Sequence, residues 1–434
     1  MADRVAITGA GVVTPIGLGY EAFREGLREG RSGVGPITSF DCTGLDTRIA
    51  AEVRDGDAGL ALWVEPRKAV KLMSRAARFA VAAAAMARRQ AGLGHGDADP
   101  RRIAVVVGAG GMGPTDVDLL AAQAEAAIAA ARVAGSDEWD IPTFARIYAE
   151  RTNPLATLRG LPNLAAAHVA IQNDAQGSNT TITTACSAGT QAIGEGMRLI
   201  QRGDADVVLA GGTDAAVNPI AVLGFSLLGT LSRRNDEPPR ASRPFDRDRD
   251  GFVIGEGAGF VVLERGAFAE ARRGRVLAEL AGYGVTCDAY RITDERPDAE
   301  GAARAVTECL TDAELAPRDV GSTNAHGTAT RMNDITETRA LKLSRGSCVG
   351  GVPVSSTKSM IGHLLAAAGA VELAAALVAL REGFLPPTIN LEAADDECDL
   401  DYVPNIARPA SPMAALSTSF GFGGQNACLA IRQW

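Results

Sequence analysis

The stretch TTACSAGTQ, residues 183–191, sets a single cysteine between a β-type run and a helix-type run. The threonines and the isoleucine before Cys186 favour a strand, and the apolar residues from Ala188 to Ile200 recur at helical spacing. A cysteine at the N-terminus of a helix lies near unpaired N–H groups that stabilise a thiolate. A buried cysteine can equally be a small hydrophobic residue of the core. This stretch alone leaves both interpretations open.

Outward from this stretch, short apolar runs alternate with Ala-rich helical segments, which is typical of an α/β protein. Several runs are apolar almost throughout, as in strands that are covered on both faces. The predicted strands are 5–11, 102–110, 180–185, 205–212, 259–265 and 415–420, and the predicted helices are 65–91, 188–201, 334–345 and 362–382. Residues 114–165 are largely helical in pattern and predict an insertion or cap between two strands.

Composition excludes several classes of protein. The net charge of −9 argues against general nucleic-acid binding, which needs a basic surface. Residues 361–380 have the length of a membrane span but contain His363 and Glu372, which are costly in lipid, so we expect a core helix and no membrane partner. The seven cysteines show no disulfide or zinc spacing, and the N-terminus lacks a signal-peptide pattern. We therefore expect a cytoplasmic protein.

The segment NAHGTATRMNDITE, residues 324–337, places His326 in a loop before a predicted helix. Asp334 and Glu337 have the spacing of a capping box, which predicts that the helix begins at Asp334. A loop histidine can lack any role, but loops on rigid α/β scaffolds often carry functional side chains.

The segment SSTKSMIGHLLAAAGA, residues 355–370, places Lys358 and His363 near the start of the apolar helix. A single histidine on an apolar helix is more often a core residue than a catalyst. Here, however, a cysteine, a lysine and two histidines all lie at predicted element ends. Loops from several strand ends converge on one site in α/β folds, so these side chains are candidates for one site.

Glycine patterns suggest two further sites. SFGFGGQN, residues 419–426, exposes backbone N–H groups that suit an oxyanion, although the glycines would equally permit a tight hairpin. A dinucleotide-binding alternative needs a helix after the glycines and an acidic residue at the end of the next strand. Here a proline follows each glycine match, and neither match is followed by a strand that ends in an acidic residue. We therefore disfavour dinucleotide binding. The matching glycines are Gly9 and Gly11, and Gly108, Gly110 and Gly113.

In this order the segments resemble the condensing enzymes of the thiolase superfamily. They are most similar to β-ketoacyl-[acyl-carrier-protein] synthases of type II and, through them, to ketosynthases of type II polyketide pathways. The resemblance runs from VAITGAGVVTPIG to FGFGGQNACLAI and includes GDADVVLAGGTDA (203–215), SRPFDRDRDGFVIGEGAG (242–259), PPTINLE (386–392) and CDLDYVPN (398–405). It implies a thiolase-like fold of two similar α/β halves in alternating helix and sheet layers. We expect residues 1–265 to carry the nucleophilic cysteine and residues 266–434 to carry both histidines.

The resemblance implies a Cys-His-His site. Cys186 would receive an acyl group from the phosphopantetheine of an acyl carrier protein. His326 and His363 would hold the carbonyl oxygen of a malonyl thioester and help to expel its carboxylate. Lys358 would orient the His363 end of the site, and Glu337 would support the loop. No metal or redox cofactor is implied.

The resemblance also implies a substrate path. The N–H groups of Cys186 and Phe422 would form an oxyanion hole, and Phe422 would be a gate between the two half-reactions. Ala109 stands where the family often has a bulkier, chain-limiting residue, which predicts a roomier acyl pocket. The other residues expected along the path are Thr328 and Thr330, for pantetheine, and Phe225.

Partners and pathway are expectations of the same resemblance. Arg67, Lys68 and Lys71 lie along one side of a predicted helix and would dock the acidic carrier protein, unless they form a merely solvated face. The expected activity is elongation in fatty acid synthesis by a homodimer. The alternative is a polyketide or polyene ketosynthase paired with a homologous chain that lacks the cysteine. A non-catalytic partner subunit is disfavoured because the cysteine and both histidines are intact.

Overall fold

The computed structural model of the chain describes residues 3–54, 56–110, 117–134 and 139–434. The strands are β1 (Val5–Thr14), β2 (Gly17–Leu18), β3 (Val34–Pro36), β4 (Ile49–Ala51), β5 (Ile103–Ala109), β6 (Asn179–Ile182), β7 (Val207–Ala215), β8 (Glu256–Arg265), β9 (Ala278–Cys287), β10 (Ser322–Asn324), β11 (Val354–Ser355), β12 (Phe384–Leu385), β13 (Arg408–Pro409), β14 (Ala414–Gly421) and β15 (Gln425–Arg432).

Helices cover much of the remaining chain. The α-helices are α1 (Tyr20–Glu29), α2 (Gly56–Ala61), α3 (Arg75–Ala91), α4 (Val117–Ala134), α5 (Ile141–Arg151), α6 (Ala156–Arg159), α7 (Asn163–Asn173), α8 (Ala188–Gln201), α9 (Pro219–Leu227), α10 (Gly266–Ala271), α11 (Glu300–Asp312), α12 (Arg331–Arg345), α13 (Lys358–Ile361) and α14 (Ala368–Arg381). Short 3₁₀ turns are Arg67–Leu72, Pro100–Arg102, Ala185–Ser187, Pro238–Arg240, Pro317–Asp319, Gly346–Gly351 and Leu365–Ala367.

One continuous hydrogen-bonded path joins the main strands in the order β6-β5-β7-β8-β1-β9-β15-β14-β10-β11. The succession of parallel and antiparallel pairs along the path is the same from either end. β5 pairs parallel with β6 and β7, as β10 does with β11 and β14. β8 pairs antiparallel with β7 and β1, as β15 does with β14 and β9. This repeat confirms the predicted α/β fold of two similar halves, while the limits 1–265 and 266–434 stay a prediction.

Helices form the layers around the two half-sheets. α8 and α14 pack against each other and against strands of both halves, so they form the middle layer. α3 and α7 cover the outer face of the first half, and α11 and α12 cover that of the second. Residues 368–380 of α14 are all buried, which confirms the prediction of a core helix. Among the described residues, no helix combines the length and the apolar character needed to cross a membrane.

Glycines on the first strand of each half let a helix lie directly against the sheet. A Cβ atom on Gly11 of β1 would lie 2.1 Å from the carbonyl oxygen of Ala83 in α3. A Cβ atom on Gly284 of β9 would lie 2.1 Å from the carbonyl oxygen of Ala305 in α11. Both separations are far below van der Waals contact. These glycines therefore set the spacing between helix and sheet in both halves.

Two predicted helices begin later than expected. The segment 65–91 is a 3₁₀ turn followed by α3, because Ser74 adopts an extended conformation and its hydroxyl caps α3 by accepting the N–H of Ala77. The segment 362–382 is helical only from Ala368. Gly362 and Leu365 have positive φ angles of 67° and 49°, which lie outside the right-handed helical region.

The predicted capping box is wrong. α12 begins at Arg331, with extended Thr330 before it. Asp334 lies inside the helix and accepts the backbone N–H of Phe245. Glu337 also lies inside the helix, and its carboxylate accepts backbone N–H groups of another segment. Both carboxylates are buried, so their spacing reflects contacts with distant backbone rather than a helix start.

The remaining strand predictions are confirmed, although β6 ends at Ile182 and the chain turns before Cys186. The predicted helical excursion 114–165 contains α4, α5 and α6. Its residues 114–116 and 135–138 lie outside the described residues, as does Gly113 of the glycine pattern considered above. Its role as an insertion or cap stays a prediction.

Substitution of Gly11 by alanine should destabilise the fold by about 1–3 kcal/mol, because the added methyl group would force α3 away from β1. Chemical unfolding monitored by circular dichroism measures this. Gly350→Ala is the matched control, since Gly350 is exposed and its added methyl group meets no atom within 4 Å. Equal stability of the two variants would show that Gly11 does not set the spacing.

Candidate active site

Cys186 lies at a sharp turn between β6 and α8. Ala185 has a positive φ of 50°, and the 3₁₀ turn Ala185–Ser187 leads directly into α8. A left-handed conformation is unfavourable for alanine, and such strained residues cluster at functional sites. The Ser187 hydroxyl donates to the carbonyl oxygen of Thr184 and fixes the turn. The structure therefore presents a half-buried thiol at a helix N-terminus, as the sequence predicts.

Glu337 organises the loop that carries His326. Its carboxylate accepts the backbone N–H groups of His326, at 2.8 Å, and of Gly327, at 2.7 Å. The hydroxyl of Thr418 donates to the same carboxylate at 2.7 Å. Burial raises the pKa of Glu337 to about 7, and these hydrogen bonds oppose that rise. The contacts agree with the expected support of this loop.

Lys358 contacts His326, whereas the resemblance led us to expect it beside His363. Lys358 Nζ lies 3.2 Å from His326 Nδ1 and forms a buried ion pair with Glu372. α13 ends after Ile361, and the chain then turns at Gly362, so Lys358 and His363 do not share one helix. An ammonium group only donates hydrogen bonds, so His326 Nδ1 accepts and its proton resides on Nε2.

The side chain of His363 is fixed by the turn that follows it. The backbone N–H of Leu365 donates to His363 Nδ1 at 3.3 Å, so Nε2 carries the proton here too. The ring centroids of His326 and His363 are 5.2 Å apart, with the planes at 86°. Burial, and then the positive charge of Lys358, hold the pKa of both imidazoles well below the ordinary value. The site thus contains two adjacent neutral imidazoles that each have an Nε2–H to donate.

The sulfur of Cys186 lies in apolar surroundings. Cys186 and Phe422 pack against a cluster that includes Phe225 and Leu365. Burial raises the pKa of the Cys186 thiol to about 12, although the charge of Lys358 acts in the opposite direction. The resting thiol therefore keeps its proton. Its proton must leave as the sulfur forms a bond.

The glycine-rich segment is a hairpin that also reaches the cysteine. β14 and β15 pair up to Gly421 and Gln425, which confirms the hairpin alternative. A Cβ atom on Gly421 would lie 3.1 Å from the backbone nitrogen of Cys186. Within the described part of the chain, neither the Cys186 N–H nor the Phe422 N–H donates a backbone hydrogen bond. Both remain available for the predicted oxyanion hole.

The residues expected along the substrate path lie on different elements. Ala109, at the end of β5, lines a cavity of about 50 Å³ together with Ala216, which belongs to the cluster beside Cys186. Phe225 is buried in α9. The hydroxyls of Thr328 and Thr330 lie 2.9 Å apart. Their roles stay predictions.

The three basic residues lie on the protein surface. Arg67, Lys68 and Lys71 are exposed and belong to a 3₁₀ turn rather than to the predicted long helix. With three residues per turn, Lys68 and Lys71 are aligned and Arg67 points elsewhere. None of the three forms an ion pair with a described residue.

Sequence reasoning gave no role to several side chains that hold the site. Glu372 was visible as an ionisable residue within an apolar run, but its pairing with Lys358 was not. Arg249 is buried and donates to the carbonyl oxygen of Thr330 at 3.2 Å. Asp214, at the end of β7, accepts the backbone N–H of Ala366 at 3.2 Å. No local pattern marked either residue.

Two family descriptions match this chain. "Beta-ketoacyl synthase, N-terminal domain" matches residues 2–269, and "Beta-ketoacyl synthase, C-terminal domain" matches residues 277–392. A 3-oxoacyl-[acyl-carrier-protein] synthase 2 from Synechocystis sp. is 43% identical over 99% of this chain and 98% of its own length. A Streptomyces rimosus relative, named as an oxytetracycline polyketide beta-ketoacyl synthase 1, is 39% identical over 100% and 97%.

A solved structure is similar throughout. It contains a type II polyketide acyl-carrier protein in complex with its ketosynthase, which is bound to the hexaketide. Its TM-score is 0.86 at 33% sequence identity, and the match covers 100% of both chains. The matched domains and the repeated thiolase-like topology agree. The chain belongs to the beta-ketoacyl synthase family.

Proposed function

We propose that this protein is a β-ketoacyl-[acyl-carrier-protein] synthase that lengthens a carrier-bound acyl chain by two carbons. The observation that carries the proposal is the pair of neutral imidazoles, both protonated on Nε2, together with Cys186 on a strained turn that packs against the Leu365 turn after His363. Two such donors suit an enolate oxygen, and the thiol suits transient storage of the acyl chain. Similarity to the Synechocystis relative supports the same activity.

The first half-reaction is acyl transfer. The sulfur of Cys186 attacks the thioester carbonyl carbon of acyl-carrier protein and gives up its proton, which ends on the departing phosphopantetheine sulfur. The negative charge on the carbonyl oxygen is met by the free N–H groups of Cys186 and Phe422. The intermediate collapses with release of the phosphopantetheine thiol, which gains a proton, and the acyl group remains on sulfur. The N-terminus of α8 adds a favourable partial charge for the developing thiolate.

The second half-reaction begins with decarboxylation. The Nε2–H groups of His326 and His363 donate to the thioester carbonyl oxygen of malonyl-carrier protein. Loss of CO₂ leaves the bonding electrons as an enolate, whose oxygen these donors stabilise. Losing one such preorganised donor costs roughly 3–4 kcal/mol of barrier. Neutral imidazoles donate here without first taking up a proton from solvent.

Condensation completes the cycle. The enolate carbon attacks the acyl carbonyl carbon on Cys186, and the new oxyanion occupies the same pair of N–H groups. Collapse expels the thiolate of Cys186, which regains a proton, and leaves a β-ketoacyl chain on the carrier. Holding both reactants side by side makes the carbon–carbon step effectively intramolecular, which can contribute roughly 7–11 kcal/mol.

Carrier protein and dimer are part of the proposal. The exposed basic side chains of Lys68 and Lys71, aligned on one turn, suit an acidic carrier. β6 is an end strand of the path and, among the described residues, pairs only with β5, and its Asn179 and Thr180 are exposed. Beside it, Ile171 of α7 is 73% exposed. An open strand edge with apolar neighbours supports pairing with a second chain.

A polyketide ketosynthase is the second candidate. The Streptomyces rimosus relative and the ketosynthase bound to a hexaketide favour it. In that case the second chain would be a homologue without the cysteine. Purification from the native cell separates the candidates: a homodimer supports fatty acid elongation, and a cysteine-less sister chain supports the polyketide alternative.

Replacing Cys186 by glutamine should abolish condensation but leave malonyl decarboxylation, because the imidazole donors remain. His363→Ala should retain acylation of Cys186 and lower decarboxylation by roughly 10²–10³-fold. Intact mass after incubation with acyl-carrier thioesters measures acylation, and CO₂ release measures decarboxylation. An acyl adduct on the Cys186→Gln variant would contradict the proposal.

Reversing the charges of Lys68 and Lys71 to glutamate should raise KM for carrier-bound substrates by roughly threefold to tenfold, since two favourable contacts become repulsive. KM for a small-thiol thioester should not change. Arg318→Glu is the control, because Arg318 is exposed on a 3₁₀ turn of the second half. Equal effects on both substrate types would place docking elsewhere.

Ala109→Phe should shorten the accepted acyl chains, because the larger side chain would fill the cavity at the end of β5. Acylation with a series of carrier thioesters of increasing length, read by intact mass, gives the chain-length preference. An unchanged preference would show that Ala109 is not at the floor of the acyl pocket.

A further inference from the structure

The repeated fold contains two equivalent turns, of which one lacks a nucleophile. Ala185 and Leu365 have nearly the same positive φ, 50° and 49°, and each opens a 3₁₀ turn that leads into a middle-layer helix. Cys186 follows the first of these residues and Ala366 follows the second. The Cys186 N–H is free for substrate, whereas the Ala366 N–H is bound by Asp214.

Asp214 is built tightly into this second turn. It lies near the end of β7 with 8% of its surface exposed, and its carboxylate also accepts the N–H of Ala215 at 2.8 Å. A Cβ atom on Gly110 would lie 2.3 Å from Asp214 Oδ2. A Cβ atom on Gly212 would lie 2.5 Å from the carbonyl oxygen of Ala366. Glycine at both positions lets the carboxylate and the turn come together.

The turn held by Asp214 is the one that fixes His363. The N–H of Leu365 donates to His363 Nδ1, and the next N–H, of Ala366, donates to Asp214. The backbone of His363 is itself tied to the first half, because its N–H donates to the carbonyl oxygen of Val253 at 2.7 Å. A shift of the turn would therefore move the N–H group that donates to His363 Nδ1, and the ring with it.

We infer that Asp214 is a positioning residue that holds His363 for the decarboxylation half-reaction. The inference rests on the proposed function and extends it: a carboxylate of the first half arranges a histidine of the second. It parallels Glu337, which holds the loop of His326 in the same manner. Among the described residues Asp214 forms no hydrogen bond with the thiol, and its charge raises the pKa of Cys186, so loss of that charge should not slow acyl transfer.

The protonation state of Asp214 provides a specific readout. Burial raises its pKa to about 6, the N–H groups of Ala366 and Ala215 lower it, and the charge of Glu256 raises it. Glu256 is paired with Arg75, and Arg159 lines the cavity that Asp214 borders. A protonated carboxyl accepts these N–H groups less well. Decarboxylation should therefore fall as the pH drops through about 6, separately from any step near 7 due to Glu337.

The test measures two activities of Asp214→Asn. CO₂ release from malonyl-carrier protein is measured in the Cys186→Gln background, and acylation is measured with Asp214→Asn alone. We expect decarboxylation to fall at least about tenfold and acylation to stay within twofold. The step near pH 6 should vanish in the variant, while any step near 7 stays. Asp206→Asn is the matched control, since Asp206 directly precedes β7 and pairs with Arg102 and Arg265 away from the turn.

Equal loss of both half-reactions, or no loss of decarboxylation, would overturn the inference. If Asp214→Asn does not fold, the pH profile of the Cys186→Gln variant decides, because an absent step near 6 would also overturn it. A wild-type chain that neither becomes acylated nor decarboxylates malonyl-carrier protein would instead refute the proposed function.

Discussion

The buried ammonium group of Lys358 is the charge on which the rest of the site depends. It is balanced by Glu372 and contacts His326 Nδ1 directly. Its charge adds to burial in keeping both imidazoles neutral, and it opposes the effect of burial on the thiol. A buried charge without a partner would be prohibitively costly, so the ion pair and the neutral histidines form one electrostatic unit. The arrangement of the catalytic residues depends on this unit rather than on any single residue.

Carboxylates placed behind the histidines supply the geometric precision. Glu337 binds two successive backbone N–H groups at His326, and Asp214 binds the turn beside His363. Each carboxylate is buried, and burial raises the pKa of each toward neutrality. Hydrogen bonds to an ionised carboxylate are stronger than hydrogen bonds between neutral groups, so these side chains hold the backbone N–H groups in place. The imidazole donors are therefore held in place by side chains that do not themselves donate to the substrate oxygen.

The sequence was sufficient for the fold class and for the main chemical residues. Alternating apolar runs and the spacing after Ala188 predicted the strands and α8, because these patterns are local. The contact between Lys358 and His326 was not predictable in this way, since it joins residues 32 positions apart on different segments of the chain. Asp334 and Glu337 misled for a related reason: their spacing imitates a helix cap, although both serve distant backbone. Burial likewise keeps the proton on the thiol, which the local sequence pattern did not show.

The position of β1 in the sheet has a consequence for synthesis of the chain. Apart from the two-residue β2, β1 pairs with β8, with Val5 opposite Arg265, and with β9. These two long partners emerge from the ribosome only after β3 to β7 have been translated. Such distant pairing slows folding, because loop closure precedes the stabilising contacts. Until then most of β1 is an unpaired apolar strand, which makes the nascent chain prone to aggregation and suited to chaperone capture.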